Sequence, residues 1–355
     1  MSKVLLCFLL FFCLFQTTAQ DIIKIIEADH HYIQYYGRFD KTDPKKPRFW
    51  APGAYIITRF SGSDCEIFIN DQVTEGSHNY IEVKVDNIDP VRIQLRARAN
   101  RIQIAKDLPG GDHTVTITKN TEASVGFLEM IGFKCNSLLP PPPVPSRKIE
   151  FIGDEITTGA GSDTRYMPCD SAEWYDQSNA YSSYGAIAAR DLNAQYYLTA
   201  VSGLGITKTA GEPGANISQV FNKINLHKNA VEWDFKSYQP DVVTVMLGNN
   251  DPINDSSSYI NTYLTFLKLL RSKYPIAQIV CVSIPGSAPG DAKSARLRNI
   301  IPAVVATAKK SGDQRVQQLI LSGTYNKGCN KLPSMEEHLE ISSQVTAYLK
   351  KLMAW

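Results

Sequence analysis

Residues 138–144 read LLPPPPV, and this run divides the chain into two parts with different patterns. Successive prolines lack backbone N–H donors and favour a stiff, extended helix, so we expect neither β-strands nor α-helices to continue through it. We therefore place a proline-rich linker at 138–147, one domain before it at 20–137 and a second after it at 148–355. A chain of 355 residues exceeds what one hydrophobic core usually organises, which agrees with two domains.

Short segments in which apolar and polar residues alternate dominate the first part of the chain. Clusters of Gly, Asp and Asn separate these segments, which are GAYIITRF, CEIFIN, YIEVKVDN, VRIQLRA and HTVTITKN. Several strands of this length at near-regular spacing predict a β-sandwich.

Apolar runs alternate with amphipathic stretches in the second part. The strand-like runs are KIEFIGD, QYYLTAVSG, DVVTVMLGNND, QIVCVSIPG and a short segment at 316–321. We predict helices near 181–192, 259–274, 295–310 and 334–351, and a long helical stretch before DVVTVML. This alternation predicts a doubly wound parallel sheet with helices on both faces. Functional residues of such sheets lie at the carboxyl ends of strands, and three ends here carry GDEITTG, SGLG and GNND.

The first residues predict a secretory signal peptide at 1–19. Met-Ser-Lys precedes an apolar run at 4–15, and a small polar stretch follows it. The run is shorter than the roughly 20 residues that span a bilayer. We therefore expect cleavage after Ala19 and a secreted or periplasmic protein with no transmembrane span in the mature chain.

Charge and cysteine content limit the partners. Lys and Arg number 37 against 35 Asp and Glu, so no basic excess favours nucleic acid as a partner. Five cysteines follow the predicted cleavage site, and their odd number leaves at least one thiol unpaired in an oxidising compartment. Cys281, within IVCVSI, is expected to be a buried small hydrophobe. The disulfide pairing stays open, and we expect neither a metal nor a cofactor.

The order of these motifs resembles the SGNH (GDSL-type) hydrolase superfamily, and the β-rich first domain makes the chain similar to carbohydrate esterase family 2. In the first domain the resemblance rests on GRFD, FWAPGAYIITRFSGSDCEIFIND, GGDHTVTITKNTEASVGF and IGF. In the second it rests on IEFIGDEITTGAG, SGLGI, WDFKSYQPDVVTVMLGNND and GCNKLPSMEEH. It implies a jelly-roll-like sandwich, an SGNH-type α/β domain and deacetylation of plant polysaccharides.

The catalytic positions that the resemblance implies hold other residues here. The family motif GDS carries the nucleophilic serine, whereas this chain has Gly153, Asp154 and Glu155. The family's GCDxHP supplies an acid and a base, whereas this chain has Asn330 and Leu332. A carboxylate is a poor acyl acceptor, since the product would be a reactive anhydride, and leucine has no proton chemistry.

The oxyanion donors implied by the resemblance are retained. Gly203 in SGLG matches a backbone donor and Asn250 in GNND matches a side-chain donor, with Gly248 and Asp251 completing the second motif. Asn249 stands where the family usually has threonine, which we interpret as affecting loop packing. A carboxylate near the donors competes for them, so we expect the side chain at position 155 to block the pocket.

Serine and histidine act as a unit in such sites, so the loss of both predicts an impaired esterase whose cleft binds acetylated or plain polysaccharide. Two alternatives stay open. The chain is an active ester hydrolase that uses other residues, or it is a scaffold that contacts other secreted enzymes. The candidates for other catalytic residues are Ser162, Ser202, His227 and His338. The adjacent acids Asp154 and Glu155 do not favour a glycosidase, because adjacent side chains point apart.

Overall fold

The computed structural model describes residues 25–355 except 75, 209–214, 228–229, 287 and 289. The predicted signal peptide therefore lies outside the described residues. The strands of the first domain are β1 Ile26–Glu27, β2 Gln34–Tyr36, β3 Phe39–Asp40, β4 Arg48–Phe49, β5 Tyr55–Val73, β6 Tyr80–Val85, β7 Val91–Gln94, β8 Ala99–Ala105, β9 Asp112–Lys119 and β10 Gly126–Leu139.

These ten strands form one antiparallel sheet that curls over on itself. The strand order is β3-β4-β10-β5-β9-β6-β7, with β1 beside β10 and with β2 and β8 beside β5. Strand β5 pairs with β9 over Tyr55–Ser61 and with β8 over Cys65–Asn70. The sequence predicts two strands here, GAYIITRF and CEIFIN, whereas the structure joins them into one strand that changes partner between Ser61 and Cys65. Alternate side chains of β5 fill the interior, as period-two packing requires.

The second domain contains a five-stranded parallel sheet in the order β12-β11-β13-β14-β15. Its strands are β11 Arg147–Gly153, β12 Ala194–Ala200, β13 Val242–Met246, β14 Gln278–Val282 and β15 Val316–Leu319. Its helices are α1 Glu155–Thr158, α2 Tyr184–Asp191, α3 Ile217–Val220, α4 Ser256–Lys273, α5 Ala292–Lys310 and α6 Met335–Met353. Every residue of β12 and β13 is buried, because helices cover both faces. The predicted fold class is confirmed for both domains.

Two local predictions were wrong. The long helical stretch before DVVTVML is, within the described residues, only α3 and a short 3-10 turn at Phe235–Ser237. Side chains such as Asp234 bond to nearby backbone N–H groups there, which competes with a continuous helix. Strand β10 also runs two residues into LLPPPPV, because Leu138 and Leu139 pair with β5 before the first proline.

A buried interface joins the two domains. Arg38 of the first domain donates to Glu150 of β11 at 3.0 Å, and both side chains are almost fully buried. The ring of Tyr55 stacks on that of Tyr196, with centroids 4.7 Å apart. The first domain therefore packs directly against the edge of the parallel sheet.

None of the described helices is long and apolar enough to cross a membrane.

Candidate active site

The carboxyl ends of β11, β12 and β13 meet at one edge of the parallel sheet. Strand β11 lies between β12 and β13, so successive connections leave it in opposite directions, and in sheets of this kind that reversal places a crevice outside the strand ends. Gly153 ends β11, and a Cβ atom at this position would lie 1.9 Å from Oγ1 of Thr157. Glycine thus lets the short helix α1 pack directly on the end of the strand, which projects position 155 into the crevice.

Asp154 caps α1 and is fully buried. Its Oδ1 accepts a hydrogen bond of 3.1 Å from the backbone N–H of Ile156, whereas its Oδ2 has no partner among the described atoms. Burial, and secondarily the charge of Glu155, raise the pKa of Asp154 well above its usual value. The side chain therefore orients the start of α1 and does not face the crevice as a free carboxylate.

The carboxylate of Glu155 accepts hydrogen bonds from both predicted oxyanion donors. Its Oε2 lies 3.0 Å from the backbone N of Gly203 and 2.9 Å from Nδ2 of Asn250. Gly203 adopts a φ of 80°, a left-handed conformation that favours glycine and aims its N–H into the crevice. The predicted contact of Glu155 with these two donors is confirmed.

Asn249 contributes a third donor that the sequence did not indicate. Its Nδ2 lies 2.5 Å from Oε1 of Glu155, and its backbone carbonyl accepts a hydrogen bond of 2.6 Å from Nζ of Lys293. Our interpretation of Asn249 as a residue of loop packing was therefore incomplete. The signal that could have found this contact is that the resemblance implies a different residue at both position 155 and position 249.

Asp251 holds the loop that follows the glycine donor. It is fully buried, and its carboxylate accepts hydrogen bonds from the backbone N–H groups of Ile206 and Thr207 at 2.9 and 2.7 Å. Gly248 lies where a Cβ atom would be 2.7 Å from Leu297 of α5. These two motif residues position the donor loops and do not contact Glu155.

A buried carboxylate of the first domain supports the same loop. Oε2 of Glu122 accepts a hydrogen bond of 2.8 Å from the backbone N of Ser202, and its Oε1 accepts one of 2.5 Å from Ser124. Burial raises the pKa of Glu122, and these hydrogen bonds partly oppose that shift. Consecutive amides, Ser202 and Gly203, therefore donate to carboxylates from different domains. Glu122 lies within the stretch GGDHTVTITKNTEASVGF, but nothing in that stretch indicated a contact with the site.

Asn330 and Leu332 lie in a tight turn beside the segment that follows α1. Asn330 and Lys331 have φ values of 55° and 61°, and Leu332 packs partly buried against the core of the second domain. The backbone N of Cys329 donates to the carbonyl of Gly161 at 2.8 Å. A disulfide between Cys169 and Cys329 also holds this turn. Leucine at position 332 thus adds apolar packing.

The other candidate residues have structural contacts. Ser162 donates to the carbonyl of Gly159 at 2.8 Å. His338 lies within α6, fully buried, and its Nδ1 accepts from the backbone N of Tyr184 at 3.2 Å. Burial lowers the pKa of His338 to about 3, so the ring is neutral at ordinary pH. His227 lies in the irregular segment after α3, and its side chain or backbone also interacts with another group.

Comparison with known proteins places both domains in one family. The model described as "Carbohydrate esterase 2 N-terminal" matches residues 35–143, and that of the "GDSL-like Lipase/Acylhydrolase family" matches residues 151–320. Cellulase/esterase CelE of Acetivibrio thermocellus is 30% identical over 338 residues, which are 93% of this chain but 40% of that protein. An acetylxylan esterase / glucomannan deacetylase of Cellvibrio japonicus is 28% identical over 93% of this chain and 91% of its own length.

Solved structures agree over both domains. A family two carbohydrate esterase from Clostridium thermocellum, in complex with cellohexaose, superposes with a TM-score of 0.82 at 30% identity, over 91% of this chain and 99% of the other. A family two carbohydrate esterase from Cellvibrio japonicus superposes with a TM-score of 0.83 at 28% identity, over 94% and 98% of the two chains. This chain therefore belongs to carbohydrate esterase family 2.

Proposed function

We propose that this chain binds polysaccharide in the crevice beside Glu155 and hydrolyses acetyl esters poorly or not at all. The observation that carries the proposal is the set of three N–H donors on the Glu155 carboxylate. Such donors stabilise the negative charge that develops on the carbonyl oxygen during acyl transfer. A carboxylate already bound to them competes with that oxygen and repels its charge, so the transition state loses its main stabilisation.

The residues at the nucleophile and base positions support the same proposal. Glu155 offers no hydroxyl, and Leu332 can neither accept nor donate a proton. In serine hydrolases, removal of the nucleophile or of the base lowers kcat by about 10⁶-fold. The proposed loss of activity therefore follows from two independent positions and does not depend on Glu155 alone.

The ligand class is inferred from the relatives. One solved relative is a complex with cellohexaose, and another relative is named as an acetylxylan esterase / glucomannan deacetylase. We infer that this chain takes a plant-type or other acetylated polysaccharide of β-linked sugars, with or without its acetyl groups. The predicted signal peptide supports a secreted or periplasmic location, where such a polymer is accessible. An N-terminus at Gln20 in the exported protein would support this location, and retention of the protein in the cytoplasm would contradict it.

Two measurements on the same preparation test the proposal. The first is hydrolysis of an acetylated chromogenic ester by wild type and by Asn250→Ala as a matched control that loses one donor. We expect equal rates for both, at the level of the uncatalysed reaction. The second is calorimetric titration with cellohexaose and with acetylated glucomannan, for which we expect saturable binding. A wild-type rate well above that of Asn250→Ala would refute the loss of activity, and lack of binding to both glycans would refute the binding function.

A further inference from the structure

Two free cysteines lie directly opposite each other in the sheet of the first domain. Cys65 of β5 and Cys135 of β10 are register partners in an antiparallel pair. Such partners have Cα atoms about 4.5–5.5 Å apart and side chains on the same face. A disulfide needs a Cα separation of about 4.4–6.8 Å. The backbone of this pair therefore already meets the geometric requirement of a disulfide.

The two thiols interact with each other across the register pair. Side-chain hydrogen bonding between them raises the pKa of Cys65 and lowers the pKa of Cys135. Cys65 is fully buried, whereas Cys135 is only half-buried. The sulfur that a soluble oxidant reaches first is thus also the one that ionises more readily, and ionised thiols are the reactive form.

We propose that Cys65 and Cys135 form a second disulfide in this protein when it enters an oxidising environment. The oxidant is a disulfide compound such as oxidised glutathione. The Cys135 thiolate attacks one sulfur of the oxidant, which forms a mixed disulfide and releases one thiolate. Cys65 then gives up its proton and attacks the Cys135 sulfur, which releases the second thiol. Two protein thiols lose two electrons and two protons, and the oxidant becomes two thiols.

The pair lies where the pairing of both strands is irregular. Strand β5 exchanges β9 for β8 just before Cys65, and the register of β10 shifts between Cys135 and Ser137. A covalent link at this point would hold the two long strands together where their hydrogen bonding is irregular. With Cys169 and Cys329 already joined, the link would leave the buried Cys281 as the one unpaired thiol among the five cysteines of the described residues.

The test uses the purified chain and oxidised glutathione as the probe. After oxidation, blocking of free thiols and proteolysis without reductant, mass spectrometry should detect a linked peptide pair that contains Cys65 and Cys135. The Tm of the wild type should rise on oxidation. Cys135→Ala should lose both the linked pair and the rise in Tm, whereas the matched variant Cys281→Ala should keep both.

Two outcomes would overturn the proposal. One is recovery of both cysteines as blocked free thiols after prolonged oxidation, and the other is glutathione retained on Cys135 with no link to Cys65. Both are read from the wild type, so the proposal remains testable even if Cys135→Ala does not fold. Cys135→Ser serves as a second variant, since serine is close in size to cysteine and the site is half-buried. The proposal is independent of whether the crevice hydrolyses esters.

Discussion

The side-chain amide of Asn249 donates a hydrogen bond of 2.5 Å to Oε1 of Glu155. The resemblance to the family implies a different residue at both positions, and in this structure the two side chains contact each other. A partly buried carboxylate without donors would be costly, and hydrogen bonds to the charged form reduce that cost. Glu155 thus accepts from Asn249 in addition to Gly203 and Asn250, so three N–H groups surround its carboxylate.

Removal of the Glu155 side chain should create a binding site for a small free carboxylate. In Glu155→Ala the N–H groups of Gly203, Asn249 and Asn250 lose their shared acceptor, and acetate has the same carboxylate group. We expect acetate to raise the Tm of the variant in a saturable manner and not that of the wild type. Acetate at a hundred times its Kd would stabilise the fold by about 2.7 kcal/mol.

The control for acetate binding is the double variant Glu155→Ala/Asn250→Ala. Acetate should raise its Tm much less than it raises the Tm of Glu155→Ala. Sodium chloride at the same ionic strength separates specific binding from a salt effect. If acetate and chloride shift the Tm of Glu155→Ala equally, the three N–H groups do not act as a carboxylate receptor.

Esterase activity should be restored in part by three substitutions together. Glu155→Ser supplies a nucleophile and frees the donors, Leu332→His supplies a base, and Asn330→Asp supplies the residue that orients it. Asn330 has a φ of 55°, which aspartate tolerates better than most residues. A general base contributes about 10²–10⁴-fold, so the triple variant should exceed Glu155→Ser alone by that factor.

Acetyl-ester hydrolysis by the triple variant is the measurement, and circular dichroism checks that it is folded. Leu332→His places an imidazole at a partly buried apolar position, so a folded but less stable protein is expected. A folded triple variant with no more activity than Glu155→Ser would show that the family mechanism does not transfer to this turn.

His338 should make the fold sensitive to acid. Burial lowers the pKa of His338 to about 3, against 6.5 for an ordinary histidine. Between these values the unfolded chain binds a proton that the folded chain does not, so stability falls as the pH falls from about 6.5 towards 3. At pH 4.5 the loss from this residue alone amounts to roughly 2–3 kcal/mol.

Urea unfolding at pH 7 and pH 4.5 measures this loss in wild type and in His338→Asn. Asparagine keeps an acceptor near the position of Nδ1 for the backbone N–H of Tyr184, and it does not titrate. The variant should therefore lose less stability between the two pH values than the wild type. Equal losses in both proteins would exclude His338 as the source.

Glu122 should control the orientation of the Gly203 amide, although it does not contact Gly203. It accepts from the preceding amide, Ser202, at 2.8 Å. Glu122→Asp keeps the carboxyl group but shortens the side chain, so we expect hydrogen exchange at the Gly203 amide to become at least about tenfold faster. A tenfold change corresponds to a loss of roughly 1.4 kcal/mol of local stability. Glu122→Gln keeps the reach and should leave that exchange nearly unchanged.

Asn120→Ala is the matched control for this measurement by NMR. Asn120 accepts from the backbone N of Tyr181 at 3.1 Å, so its loss weakens the same domain interface without touching Ser202. Fast exchange at Gly203 in Asn120→Ala as well would mean that any loosening of the interface has this effect, and that Glu122 has no specific part in it.

The sequence predicted the fold class because each domain repeats one simple pattern. Alternation of period two marked the strands of the curled sheet, and apolar runs between amphipathic helices marked the parallel sheet. Cys281 was expected to be buried from its apolar run, and it is. The prediction of a long helical stretch before β13 was wrong. Short-range hydrogen bonds from side chains to the backbone leave no periodic signal that separates capped turns from a helix.

The sequence by itself determined the two-domain architecture and the motif positions that converge at the crevice, since hydrophobic periodicity and strand order are local properties of the chain. Only the tertiary structure decided which atoms meet there. The third donor from Asn249, the support of Ser202 by Glu122 and the pairing of Cys65 with Cys135 each join residues about 70 or more positions apart. Such contacts depend on how strands from distant segments align, and no periodicity within one segment encodes that alignment.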